Sequence, residues 1–165
     1  MTRRETTVVW RDPAEGLAAL PELSGIEFMK RVASGALPGA PIASHFAMDL
    51  LEVGPGTVTF RCRPDGSHYN PIGTVHGGLV CTLLDSALGC ATHTTLPAGT
   101  GYTSIEIKVN FLRPVTAGSG PLICTGRVTK PGSRVAFAEG EVVDNQGKVV
   151  ASASGSLLIF ELPKG

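Results

Sequence analysis

No charge of either sign dominates this sequence, since 14 lysines and arginines balance 14 aspartates and glutamates over 165 residues. That excludes a general attraction for nucleic acid, and a phosphorylated ligand has to be met by a local group of cations. Cysteine pairs are missing too: Cys62, Cys81, Cys90 and Cys124 lie far apart with no CxxC, which argues against a disulfide scaffold or a thiolate zinc site. The start shows no charged-then-apolar leader, and no apolar run reaches 18 residues, so a cytoplasmic protein with no membrane span is expected. There is no P-loop and no G-x-G-x-x-G after a strand, and Ser86 lies outside any G-x-S-x-G elbow. His68, His76 and His93, with Asp65 and Asp85, fit no compact ligand spacing, so no metal site is expected.

What is present is ordinary for a globular chain, with 42% hydrophobic against 17% charged residues, enough for one domain with a real core. Residues 1–45 differ from the rest. "MTRRETTVVW" is polar and unpatterned, and one amphipathic helix is expected around Gly25–Ser34 before Pro38 and Pro41 break it. We read 1–45 as an N-terminal extension with a short helix, and 46–162 as the main domain. From Phe46, "FAMDLLEV", the Gly54-Pro55-Gly56 turn and "TVTFRCRP" form a hairpin pattern of period two.

Asp65–Gly78 reads as a loop that opens into a long helix. There Leu79, Val80, Leu83, Leu84, Ala87, Leu88 and Ala91 cover most of the circumference, which predicts burial on nearly every side. After it, Ile105, Ile107, Val109 and Phe111 alternate with Ser104, Glu106, Lys108 and Asn110. "PLICTGRVTK", "RVAFAEGEVVD" and "KVVASASGSLLIF" follow, joined by strong turns at Pro131-Gly132-Ser133 and Asp144-Asn145-Gln146-Gly147. The expected fold class is α+β: two strands, one apolar helix, then a meander of about four strands, making an antiparallel sheet wrapped around the helix. One curled sheet leaves part of its helix uncovered, which argues for a homo-oligomer.

Asp85 breaks the apolar run of that helix, and a carboxylate there has to be paired, hydrogen-bonded or used. Neighbouring hydroxyls such as Thr82 or Ser86 are one way to satisfy it. The glycines of His76-Gly77-Gly78 either permit a tight turn or leave backbone N–H groups open at the positive end of the helix dipole, where an oxyanion is stabilised. Eight residues separate Gly77 from Asp85, about 12 Å of helix, so one chain's aspartate cannot reach its own helix terminus. Two helices packed antiparallel across a dimer axis would bring them together.

"NPIGTVHGG", the aspartate of "LVCTLLDSALG" and then "GYTSIEIKVNFLRPV" together resemble the hotdog-fold thioesterases of the phenylacetic-acid-degradation (PaaI-like) group, over roughly residues 25–160. The resemblance implies a sheet wrapped around a central helix, assembly into dimers or tetramers as dimers of dimers, and hydrolysis of acyl-coenzyme A. It implies Asp85 as general base or nucleophile, with Asn70 and the Gly77 amide from the partner chain orienting and polarising the thioester carbonyl. His76 is expected to order the loop and hydrogen-bond near the carbonyl, and Ser104 to help hold water or the carboxylate. Gly78, Arg113, Lys130 and Arg134 are the candidates for contacting coenzyme A, which is substrate, so no cofactor is expected. The long N-terminal segment around "VVWRDPAEG" departs from the family pattern and is expected to cover part of the groove or the outer sheet. A fold does not fix a function, and a non-hydrolytic acyl-CoA binder or a dehydratase stays the alternative.

Overall fold

The computed structural model describes residues 2–163. Its helices are α1 (Ala14–Ala19), α2 (Gly25–Ala33), α3 (Pro41–His45) and α4 (Gly77–His93), and its strands are β1 (Met48–Gly54), β2 (Thr57–Cys62), β3 (Thr100–Phe111), β4 (Leu122–Lys130), β5 (Val135–Val143) and β6 (Val149–Glu161). All strand pairs are antiparallel, in one sheet of order β1-β2-β4-β5-β6-β3.

The β1–β2 hairpin and the β4–β5–β6 meander form where the turn residues predict. The four-strand meander does not. β3 leaves α4, crosses to the far edge and pairs with β6, while β4 takes the place beside β2. Short turns pin β4 to β5 and β5 to β6, whereas no tight turn joins β3 to β4: Leu112–Pro121 loops between them, and β3 is free to take the other edge.

α4 is the helix that the sheet wraps. His76 caps its start, with Nδ1 accepting from the Gly78 N–H at 2.9 Å, and Leu83, Leu84 and Ala87 are wholly buried against the sheet. Glycines let the helix and the central strands approach closely. A methyl on Gly126 in β4 would sit 2.4 Å from the Ala87 carbonyl oxygen, and methyls on Gly140 in β5 and Gly155 in β6 would lie 2.9 and 3.0 Å from the Leu88 side chain.

α2 forms over Gly25–Ala33, close to the amphipathic segment that the sequence predicts. The Ser24 N–H donates to Glu27 Oε2 at 3.1 Å, tying down its first turn. α1 and α3 are additional short helices. α2 packs on β1 and α4, and its approach to α4 requires Gly25, where a Cβ would fall 1.7 Å from the His93 carbonyl oxygen. Among the described residues no helix is long and apolar enough to cross a membrane.

Candidate active site

α4 is not enclosed on every side. Gly78, Cys81, Thr82 and Asp85, spaced three and four apart, form one face that the sheet leaves open, with Gly78 and Asp85 exposed and Cys81 and Thr82 half-buried. Asp85 therefore keeps its contact with solvent in the single chain. Its partner is neither Thr82, whose hydroxyl donates to the Gly78 carbonyl at 2.9 Å, nor Ser86. The Ser104 hydroxyl of β3 donates to Asp85 Oδ1 at 2.6 Å, a short charge-assisted hydrogen bond.

A β-bulge makes this contact. The β3–β6 register shifts between Ser104 and Glu106, with Ser104 opposite Leu157 and Glu106 opposite Ser156. Residues directly opposite share a face of the sheet, so Ser104 lies on the inner face with the buried Leu157, as does Ile107 with Gly155. Ile105 is the extra residue and is 55% exposed. Strict alternation puts Ser104 in the polar row and Ile105 in the apolar one. The bulge reverses both, and re-aiming a side chain is a common use of bulges near functional sites.

Asn70 is engaged within its own loop. Its Oδ1 accepts from the Ile72 and Thr74 N–H groups at 3.1 and 3.2 Å, and its Nδ2 donates to the Thr74 hydroxyl at 2.9 Å. One amide hydrogen of Asn70 is left over. The Gly78 N–H is taken by His76 Nδ1, which leaves the other ring nitrogen of His76 facing outward on an exposed residue. The Gly77 N–H has no partner among the described residues. The Phe111 ring lies against Gly77, 3.1 Å from where a Cβ would be, and the two line a small cleft of 290 Å³ with Arg113. The Arg113 guanidinium donates to the Val149 carbonyl.

Lys130 and Arg134 flank the β4–β5 turn, at the opposite end of α4 from Arg113. There the Val128 N–H donates to the Gly56 carbonyl, and the Gly56 N–H to the Thr94 hydroxyl. One chain thus brings Asp85 to Ser104 and Gly77 to Arg113, and keeps the two pairs apart.

A second cleft, of 810 Å³, opens from Asp85 and Ser104. The sequence predicts only that the segment around "VVWRDPAEG" covers part of a groove or the outer sheet; the lining itself is not legible there, because its residues lie far apart in the chain. Trp10, Phe28 and Met29 of the N-terminal extension line the cleft together with Cys90, His93 and Tyr102. The His93 ring stacks on Phe28 (centroids 5.3 Å apart, planes at 4°) and meets Tyr102 edge-on at 5.5 Å. Burial lowers the His93 pKa and keeps the ring neutral. Burial also pushes the Cys90 thiol up to about 12 and raises the Tyr102 phenol well above its usual value, so both stay protonated.

Known proteins are similar to this chain in sequence and share its architecture. The thioesterase superfamily profile matches residues 72–151, from the loop before α4 into β6. Human acyl-coenzyme A thioesterase 13 is 30% identical over 103 residues, covering 62% of this chain and 72% of its own length, and the mouse protein of the same name is 28% identical over the same span. Among solved structures, a phenylacetic acid degradation-related protein from Ralstonia eutropha JMP134 superposes with a TM-score of 0.72 at 26% identity, over 78% of this chain and 97% of that one. The Escherichia coli PaaI protein has the same fold, with a TM-score of 0.72 at 22% identity, over 86% of this chain and all of its own. The sequence matches and the superpositions agree: the chain belongs to the thioesterase superfamily and has the hotdog fold.

Proposed function

We propose that this protein hydrolyses an acyl-coenzyme A thioester to the free acid and coenzyme A, with Asp85 as the reacting carboxylate. The observation that carries the reading is the Asp85–Ser104 pair. An accessible carboxylate on a buried helix is fixed at 2.6 Å by a hydroxyl that a bulge turns inward, at the edge of an 810 Å³ cleft. As a general base, Asp85 takes a proton from water while the oxygen adds to the thioester carbonyl. The C–S bond then breaks, and the proton passes to the departing thiolate. As a nucleophile, Asp85 attacks the carbonyl itself, the C–S bond breaks and the coenzyme A thiolate leaves; water then cleaves the resulting anhydride to the free acid and the Asp85 carboxylate, and its remaining proton goes to the thiolate. Coenzyme A enters as part of the substrate and leaves as product, and the proposed reaction calls for no cofactor.

The carbonyl oxygen needs a hydrogen-bond donor, and the Gly77 N–H lies about 12 Å along the helix from Asp85. We assign that role to a second copy of the chain. Residue 81 is midway between 77 and 85, so a two-fold axis passing α4 near Cys81 sets the partner's Gly77 beside Asp85. The open face from Gly78 to Asp85 is centred on the same point, and its small residues suit close approach of two helices. Asn70, through its remaining amide hydrogen, and His76, through its outward ring nitrogen, are then donors near the carbonyl. The same axis sets the partner's Arg113 toward the end of α4 that carries Lys130 and Arg134, where cations meet the phosphates of coenzyme A. The four free thiols suit a reducing compartment, and we place the protein in the cytoplasm.

A thiol-release assay over a panel of acyl-CoAs tests the reaction. Turnover that falls by about 10²–10⁴ in Asp85→Ala is expected, and unchanged turnover in the variant would overturn the assignment. A short bifunctional maleimide tests the axis. It should join two chains through Cys81, whereas Cys81→Ser should stay monomeric on a denaturing gel. Equal cross-linking with and without Cys81 would remove the proposed arrangement.

A further inference from the structure

The 810 Å³ cleft runs from Asp85 and Ser104 toward His93, and most of the residues that line it precede β1. We propose that this N-terminal extension forms the acyl chamber and sets which acyl groups the protein takes: uncharged, predominantly apolar chains of medium to long length. The inference rests on the acyl-CoA reading above and specifies its substrate.

Three observations support it. Volume is the first. Ligand clefts span about 300–1,000 Å³, and 810 Å³ is far more than a two- or four-carbon acyl group fills. His93 is eight residues beyond Asp85, so the chamber extends about 12 Å along α4 from the reacting carboxylate. The second is charge. Arg11 is the one lysine or arginine lining the cleft, and it is already held by Glu15 at 2.6 Å and by the Gly35 carbonyl at 2.8 Å. Asp49, also in the lining, is paired with Arg61 and Arg63 at 3.0 and 2.7 Å. Among the described residues that line the cleft, no unpaired lysine or arginine is placed to meet a second carboxylate at the far end of an acyl chain.

Exposure is the third. Trp10 is 53% and Leu17 64% exposed although both line the cleft. Large apolar side chains in that position lose their contact with water when an apolar chain enters. Phe28 contributes from α2 and is braced by the stack on His93. The extension is thus anchored to α4 at its inner end and bare at its lip.

Trp10 is the one tryptophan of the sequence, which makes its fluorescence a reporter of the chamber that does not depend on turnover. Non-hydrolysable S-alkyl-CoA thioethers of increasing chain length should shift its emission, with affinity rising about threefold to fourfold per added methylene until the chamber is full. Coenzyme A alone should not shift it. In turnover assays Trp10→Ala should lower the ratio of kcat/KM for long over short acyl-CoA by about tenfold, equivalent to uncovering about two methylenes. Ala33→Phe, which places a ring in the cleft from an exposed position of α2, should remove the longest substrates first. A Trp10 response without turnover on any acyl-CoA would keep the chamber and remove the hydrolase reading. Turnover with a length ratio unmoved in both variants, or a Trp10 response to coenzyme A alone, would keep the hydrolase and overturn the role of the extension.

Discussion

Toward the sheet, α4 presents Leu83, Leu84, Ala87 and Leu88 to strands whose glycines let the backbones approach closely. On its other side the same helix presents Gly78, Cys81, Thr82 and Asp85 to open space. The closed side is made of groups that lose free energy if anything moves. The open side holds the one carboxylate of the helix, with a single hydrogen bond to Ser104. Separating the two lets the carboxylate stay accessible without weakening the core, since a buried carboxylate with one neutral partner would be strongly destabilising.

Substitutions on the two sides should therefore fail in different assays. Asp85→Asn keeps the shape and removes the charge. It should lower turnover by about 10²–10⁴ while moving unfolding free energy by no more than about 0.5 kcal/mol, read by thiol release and urea titration. A large loss of stability would show that the open side is part of the core after all. Leu84→Ala, on the closed side, should cost about 2–5 kcal/mol of stability, seen as a lower urea midpoint. Gly126→Ala puts a methyl 2.4 Å from the Ala87 carbonyl oxygen and should cost about 1–3 kcal/mol through overpacking, with a lower Tm. Ser104→Ala leaves Asp85 in place but free to rotate. It should lower kcat about tenfold with little change in KM, and an equal rise in KM would point to a binding role instead.

The smallest effect is in pH. Burial holds the His93 pKa below its usual 6.5, so the folded state binds its proton less readily than the unfolded chain. Its contribution is fully present above about 6.5, the unfolded value, and is lost as pH falls through the folded pKa. Urea titrations at pH 7.5 and 5 should show lower stability at the acid end, and His93→Gln should flatten that difference. A slope unchanged in the variant would place its origin elsewhere.

Much of this was legible in the residues. The apolar run of α4, the Gly54-Pro55-Gly56 hairpin and the turns at 131–133 and 144–147 are local signals, and local hydrogen bonding enforces them. The position of β3 was not legible, because its pairs with β6 run from Phe111–Ala151 to Thr100–Glu161, 40 to 61 residues apart in sequence, and its pairing depends on which edge the sheet leaves open. Ser104 entered through a resemblance to known proteins. Alternation alone places it among the outward polar residues, since a bulge leaves no mark in a period-two pattern. The wall built by Trp10 and Phe28 was legible only as a segment expected to cover part of the groove or the outer sheet, because residues 1–45 carry weak patterning and their place is set by contacts with α4 and β1.

The sequence by itself determined a helix too apolar to stand in water, strands to wrap it, and a single aspartate that needed a reason. Each follows from short-range preferences and the free energy of burying apolar surface. Only the tertiary structure decided that Asp85 faces outward, that a bulge brings Ser104 to within 2.6 Å of it, and that the N-terminal extension closes a chamber beside them. These depend on register and on contacts between distant segments, and a one-residue shift in β3 would turn Ser104 to the other face of the sheet.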